Sequence, residues 1–276
     1  MLPATGWSSA ITLSESRLSA TWARLRAARR TALIPYLTAG YPSPEASLDA
    51  LGAADEVADI IEVGVPFSDP LADGPTIQRS TFEALKAGMT LAGTLELISR
   101  ARLERPVVVF SYLNPILRYG VERFLQQADR VGVAGLLLTD LPAGSDPTVE
   151  SAVQASRLDL IRLVAPTTRP ERLTVAVEGA EGFIYLVARL GVTGASASLA
   201  GGLSDSIVRL RRATSLPIAV GFGISTPSQA SEVARMADGV VVGSALVDIL
   251  GREGVEGAGT FLRSLREGLD REPVLR

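Results

Sequence analysis

The sequence predicts one (β/α)8 TIM barrel, and three observations carry that reading. Eight short runs rich in Val, Ile and Leu recur along the 276 residues, each followed by a turn and then a helical pattern. Most of these runs are apolar at nearly every position, as parallel strands covered on both faces are. No linker, low-complexity tract or break in composition divides the chain. The competing architecture, an open doubly wound sheet, usually has fewer strands and often a glycine-rich nucleotide fingerprint after the first. Here Thr38-Ala-Gly40 follows the first run, and no G-x-G-x-x-G occurs there.

In order, the expected strands are Ala32–Leu37, Ile60–Val63, Val107–Phe110, Gly135–Thr139, Leu160–Val164, Phe183–Val187, Ile218–Val220 and Gly239–Val242. A helix over Ser14–Arg30 precedes the first strand. Helical patterns follow over Pro44–Glu56, Gln78–Lys86, Thr90–Leu103, Val121–Val131, Pro147–Ser156, Arg169–Val177, Ser204–Ala213 and Pro227–Met236, and Val255–Leu269 closes the series. Ser43-Pro44, Asp146-Pro147 and Thr226-Pro227 each set a capping side chain before a proline at the first helical position. The barrel domain is thus expected over residues 14–270, between a loose N-terminal tail (1–13) and a C-terminal tail (271–276).

Composition excludes whole classes of chemistry. There is no Cys and no His, which removes disulfides, thiol nucleophiles, Ser-His-Asp triads and His- or Cys-ligated metal sites. Lys86 is the one lysine, on a helical pattern where it reads as a solvated surface residue; no strand run contains a Lys, which speaks against Schiff-base aldolases. A net charge of −3 argues against a nucleic-acid footprint. No run approaches the roughly 18–20 apolar residues of a membrane span. No Lys or Arg precedes Arg17, so the charged start of a signal peptide is missing and the cytoplasm is expected. Catalysis must use carboxylates, hydroxyls, Arg or backbone groups, with no metal.

Barrel active sites lie in the loops after the strands. The richest loop follows the second strand: Glu62-Val-Gly-Val-Pro-Phe-Ser-Asp-Pro-Leu-Ala-Asp-Gly-Pro75 holds the carboxylates Glu62, Asp69 and Asp73 on a backbone restrained by prolines. Glu62 lies within the strand run, where either face is covered. It is either a buried ion-pair partner, for instance of Arg162 on the fifth strand, or a general acid/base whose pKa is raised by burial. Asp73, before Gly74-Pro75, is by itself more often a turn or helix-capping residue than a functional one. Glycine turns follow the last two strands, Gly221-Phe-Gly-Ile-Ser225 and Gly243-Ser244, with Ser244–Leu250 as a short extra helix. They suit a phosphate, with Gly191-Val-Thr-Gly194 supplying further donors; the plainer reading is tight turns.

Together these segments resemble the tryptophan synthase alpha subunit family. The likeness rests on Pro35-Tyr-Leu-Thr-Ala-Gly-Tyr-Pro42, the block Glu62–Gln78, Tyr112-Leu-Asn-Pro115, Asp140-Leu-Pro142, Ala165-Pro-Thr-Thr168, Gly191-Val-Thr-Gly194 and Gly221-Phe-Gly-Ile-Ser225, in order from about Thr31 to Leu250. The resemblance implies retro-aldol cleavage of indole-3-glycerol phosphate to indole and glyceraldehyde 3-phosphate. It implies Glu62 and Asp73 as the catalytic carboxylates, with Tyr185 near the reacting carbons. Tyr36, Ile77 and Phe222 would flank the indole ring, and Thr193, Gly194, Gly223, Gly243 and Ser244 would bind the phosphate end. It further implies a pyridoxal-phosphate-bearing beta subunit as partner in an α2β2 complex, with no cofactor in this chain. Docking would fall on the loop around Pro66, Phe67, Asp69 and Pro70.

The missing residue types agree with this chemistry, because protonated indole can itself accept the electrons. The chain departs from forms familiar in the family at Ala188-Arg-Leu-Gly191 and Ala195-Ser-Ala-Ser198, which bears on loop closure rather than on the carboxylates. Rival readings are a phosphoribosyl isomerase using Asp140, a silent barrel that activates a partner, and a standalone lyase releasing free indole.

Overall fold

The computed structural model describes residues 16–187, 199–221 and 223–271. Eight parallel strands close a barrel in sequence order: β1 (Ala32–Thr38), β2 (Ile61–Gly64), β3 (Val107–Ser111), β4 (Val133–Leu138), β5 (Asp159–Val164), β6 (Ile184–Val187), β7 (Ile218–Gly221) and β8 (Gly239–Val242). Each lies within two residues of its sequence expectation. Closure is made by β1 and β8, where Ile34 pairs with Val241. Between the strands run α2 (Pro44–Val57), α3 (Pro75–Lys86), α4 (Leu91–Ala101), α5 (Leu113–Tyr119), α6 (Val121–Arg130), α7 (Pro147–Gln154), α8 (Pro170–Ala176), α9 (Leu199–Ala213) and α10 (Pro227–Ala234). α1 (Arg17–Ala27) precedes β1, and α11 (Ser244–Asp270) follows β8, broken at Gly254. The three expected proline-led caps form: Ser43, Asp146 and Thr226 side chains each accept an amide of the first turn. The segments 1–13 and 272–276 lie outside the described residues.

α1 closes the amino-terminal mouth of the barrel. Its apolar stripe Leu18, Trp22 and Leu25 is buried, and Trp22 meets Phe183 at a ring distance of 5.6 Å. Gly239 leaves room for that indole, since a Cβ there would come within 2.9 Å of Trp22. Carboxylates tie this end together. Asp59 accepts the Leu33 amide and an Arg266 hydrogen bond, Asp238 accepts the Ile218 amide, and Glu181 accepts the Leu160 amide. Asp159 accepts from the hydroxyl of Ser16, the N-cap of α1. The sealed base leaves the carboxyl end of the strands as the place for chemistry.

Candidate active site at the carboxyl end of the barrel

Glu62 sits in the middle of β2, opposite Tyr36 of β1, and is 0% exposed. Neither of its carboxylate oxygens accepts a hydrogen bond among the described residues. Burial without a partner pushes its pKa up to about 8. The ion-pair reading is therefore overturned: Arg162 lies beneath the loop after β4, where it pairs with Glu150 and donates to the carbonyls of Leu141 and Glu178. Period-two alternation in β5 separates it from Leu163, the register partner of Tyr185, and so turns it out of the barrel.

Asp73 ends the β2–α3 loop, but it does not cap the helix; Gly74 occupies that position with no capping side chain. α3 accordingly begins at Pro75, ahead of the Gln78 expected from the sequence. The loop is braced by bonds from the Asp73 amide to Pro70 O (3.1 Å) and from Gln78 Nε2 to Asp73 O (2.9 Å). Tyr112, between β3 and α5, reaches over: its hydroxyl accepts the Ala72 amide at 2.9 Å and hydrogen-bonds the Asp73 carboxyl. Burial raises Asp73 to about 6, with the Tyr112 bond pulling it back down. Burial and the neighbouring Asp73 charge push Tyr112 up to about 12.

Tyr36 and Tyr185 complete the cluster. Burial raises both phenols, and the charges of Glu62 and Asp73 raise them further. Glycines make room for both hydroxyls. A Cβ on Gly64 would lie 2.0 Å from the Tyr36 hydroxyl, and one on Gly221 would lie 2.1 Å from that of Tyr185. Phe110 stands edge-on to Tyr36 at 5.3 Å, and Ile77 is buried in the first turn of α3. Apolar and aromatic side chains thus surround the Glu62 carboxyl.

Gly223 adopts φ +86°, and Gly243, where a Cβ would lie 3.5 Å from Tyr36, caps α11 at Ser244 without a side-chain bond. Thr193, Gly194 and Phe222, with the rest of Ala188–Ser198, lie outside the described residues. In the β2–α3 loop Pro66 is buried, and Phe67 packs on Tyr112 with ring centres 5.2 Å apart. Asp69 is exposed and accepts from Ser68, Pro70 is half-buried, and Leu71 at the apex is 93% exposed. Lys86 is exposed at the end of α3 over the Phe82 ring. Asp140 is no member of the cluster; its carboxylate accepts the Leu113 amide at 2.7 Å. Tyr112 and Phe110 are site residues that the sequence reading left unassigned, although Tyr112 opens the Tyr112–Pro115 segment directly after a strand.

The fold is a (β/α)8 barrel of the kind that houses enzymes, and it sets two carboxyls with raised pKa at the carboxyl end of its strands. A family model described as tryptophan synthase alpha chain matches residues 22–267. The tryptophan synthase alpha chain of Chloroflexus aggregans is 45% identical over 93% of this chain and 99% of its own; that of Acidiphilium cryptum is 50% identical over 85% and 87%. Among solved structures, tryptophan synthase of Mycobacterium tuberculosis superposes with a TM-score of 0.85 at 41% identity, covering 93% of this chain and 99% of that one. The alpha subunit from Legionella pneumophila superposes with a TM-score of 0.85 at 35% identity, over 93% and 99%. The chain belongs to the tryptophan synthase alpha chain family. It is a carbon–carbon lyase of tryptophan biosynthesis that cleaves indole-3-glycerol phosphate, and it pairs with a beta subunit, to which pyridoxal phosphate belongs.

Proposed function

We propose that Glu62 and Asp73 carry the proton chemistry of this cleavage, in an α2β2 complex in the cytoplasm. The observation that carries the reading is the Glu62 carboxyl, fully buried, without a hydrogen-bond partner among the described residues, and raised by that burial to about 8. Glu62 delivers its proton to ring carbon C3 of the indole, giving an indoleninium whose C=N bond is the electron sink. The resulting carboxylate then takes the proton from the hydroxyl on the carbon attached to C3. The C–C bond breaks, its electrons restore the indole, the aldehyde of glyceraldehyde 3-phosphate forms, and Glu62 is again protonated. Asp73, more acidic than Glu62, accepts the ring N–H and stabilises the positive charge that develops there.

Tyr36, Ile77 and Phe222 flank the ring in this reading, and Tyr185 lies by the reacting carbons. The phosphate rests on Gly223, Gly243 and Ser244, together with Thr193 and Gly194. Among the described residues no helix is long and apolar enough to cross a membrane, which is compatible with the cytoplasm. The barrel domain is assigned to 14–270. Docking to the beta subunit is assigned to Pro66, Phe67, Asp69 and Pro70, supported by the protrusion of their loop beside Asp73.

The test is Glu62→Gln, assayed for indole release with and without the beta subunit. Turnover should fall by about 10³-fold or more, while glycerol-phosphate binding stays within about twofold of the parent. Near-parent turnover would remove Glu62 from the mechanism.

A further inference from the structure

Asp140 was a candidate acid/base in a rival reading of the sequence, yet it stands outside the carboxyl cluster. Its carboxylate is spent on the Leu113 amide, at 2.7 Å, in the first turn of α5. A charged acceptor makes this one of the stronger kinds of backbone tether. The residue before Leu113 is Tyr112, whose hydroxyl accepts the Ala72 amide and bonds the Asp73 carboxyl. The neighbour of Asp140 points the same way: Thr139 donates to Ser111 O, just before Tyr112, through both its amide (3.0 Å) and its hydroxyl (3.5 Å).

The loop that carries Asp140 is itself anchored from below. Arg162 Nη1 donates to Leu141 O at 3.3 Å, and the Glu150 carboxylate, paired with Arg162 Nη2, accepts the Gly144 amide at 2.8 Å. A buried ion pair thus grips both sides of the loop after β4, and the loop in turn grips the strand-to-helix turn that holds Tyr112.

We propose that Asp140 is a positioning residue for the lyase reaction: by fixing the Leu113 amide it holds Tyr112 where its hydroxyl orients the carboxyl of Asp73. The inference rests on the reading in which Asp73 acts on the indole N–H. Asp140 never meets substrate; it acts through two successive hydrogen bonds.

The experiment compares Asp140→Ala, Asp140→Asn, Tyr112→Phe and the Asp140→Ala/Tyr112→Phe double variant, as full chains saturated with beta subunit. Asp140→Ala should lower kcat about tenfold and leave KM within about twofold, since a carboxyl is misplaced rather than a binding contact removed. Asp140→Asn keeps an acceptor oxygen and should recover most of the rate. The acid limb of the kcat profile should move to higher pH in Asp140→Ala, because the Tyr112 bond that lowers the Asp73 pKa is weakened. Adding Asp140→Ala to Tyr112→Phe should cost little more, as both act along one path. An unchanged kcat in Asp140→Ala, an unmoved acid limb, or fully additive losses would overturn the inference. Asp73→Asn measured alongside separates the two levels. If it is inactive while Asp140→Ala is unaffected, only the inference fails. If it keeps parent turnover, the reading beneath it fails as well.

Discussion

Glu62 and Asp73 are two carboxyls made unlike by their surroundings. Glu62, with no partner, is raised to about 8; Asp73, with a Tyr112 hydrogen bond, only to about 6. Between those values Glu62 is the acid and Asp73 the anion, which is the division of labour the proposed mechanism requires. The profile of kcat/KM should therefore be a bell with limbs near pH 6 and 8. A flat profile across that range would contradict the assignment. The same burial weakens the fold. An acid whose pKa is raised on folding contributes stability that is complete below its unfolded value and is lost as pH climbs through the folded one. Glu62→Gln should consequently stabilise the chain at about pH 9, on the order of 5 kcal/mol by denaturant unfolding, and by almost nothing at about pH 4, where both side chains are neutral. Equal stability of variant and parent at both pH values would show that Glu62 carries no buried charge.

The loops after the strands are set by elements whose roles differ in how plainly the sequence displays them. Arg162 on β5 and Glu150 on α7 form a buried ion pair that also fixes the carbonyl of Leu141 and the amide of Gly144. Removing one partner strands a charge in the interior, whereas removing both removes the need for either. Glu150→Gln should cost about 3 kcal/mol in urea unfolding, and Arg162→Leu with Glu150→Leu should recover most of it. A double variant as unstable as the single one would contradict this. All eight strands were legible because parallel strands buried on both faces are written as short apolar runs, and most helices because Ser-Pro, Asp-Pro and Thr-Pro pairs mark their starts. α5 escaped: it spans Leu113–Tyr119, carries Pro115 near its start and draws its first amide bond from Asp140, far away in sequence. The Arg162–Glu150 pair escaped for the same reason. Charge and burial can be read from one segment, but the choice of partner belongs to the packing of two. Glu62 was legible because an acid inside an apolar strand run demands an explanation; its pairing with Arg162 was ruled out only where Arg162 turned outward to Glu150.

At the scale of the whole molecule the barrel has a closed end and a working end. Trp22 and Leu18 of α1 seal the base, while the other mouth presents the β2–α3 loop with Leu71 at its apex, 93% exposed. A large apolar side chain at a loop tip gains nothing in the free chain and is well placed for a partner. The reaction gives that position a purpose, because indole is neutral and apolar and escapes from any site that does not hand it on. Leu71→Asp should then weaken association with the beta subunit by about tenfold or more, as an anchor turned into a desolvated charge does. The unfolding midpoint of the isolated chain should stay where it is, since Leu71 packs against nothing there. Indole release by the isolated chain should also be unchanged, because the loop reaches the cluster through Ala72 and Asp73 rather than through Leu71. Sedimentation or calorimetric titration with the beta subunit, beside an assay of the free chain, measures all three quantities. Parent-like affinity in Leu71→Asp would move the docking surface away from this loop. Lost activity in the free chain would instead mean that the apex holds Asp73 in place, making the loop an internal brace before it is a contact.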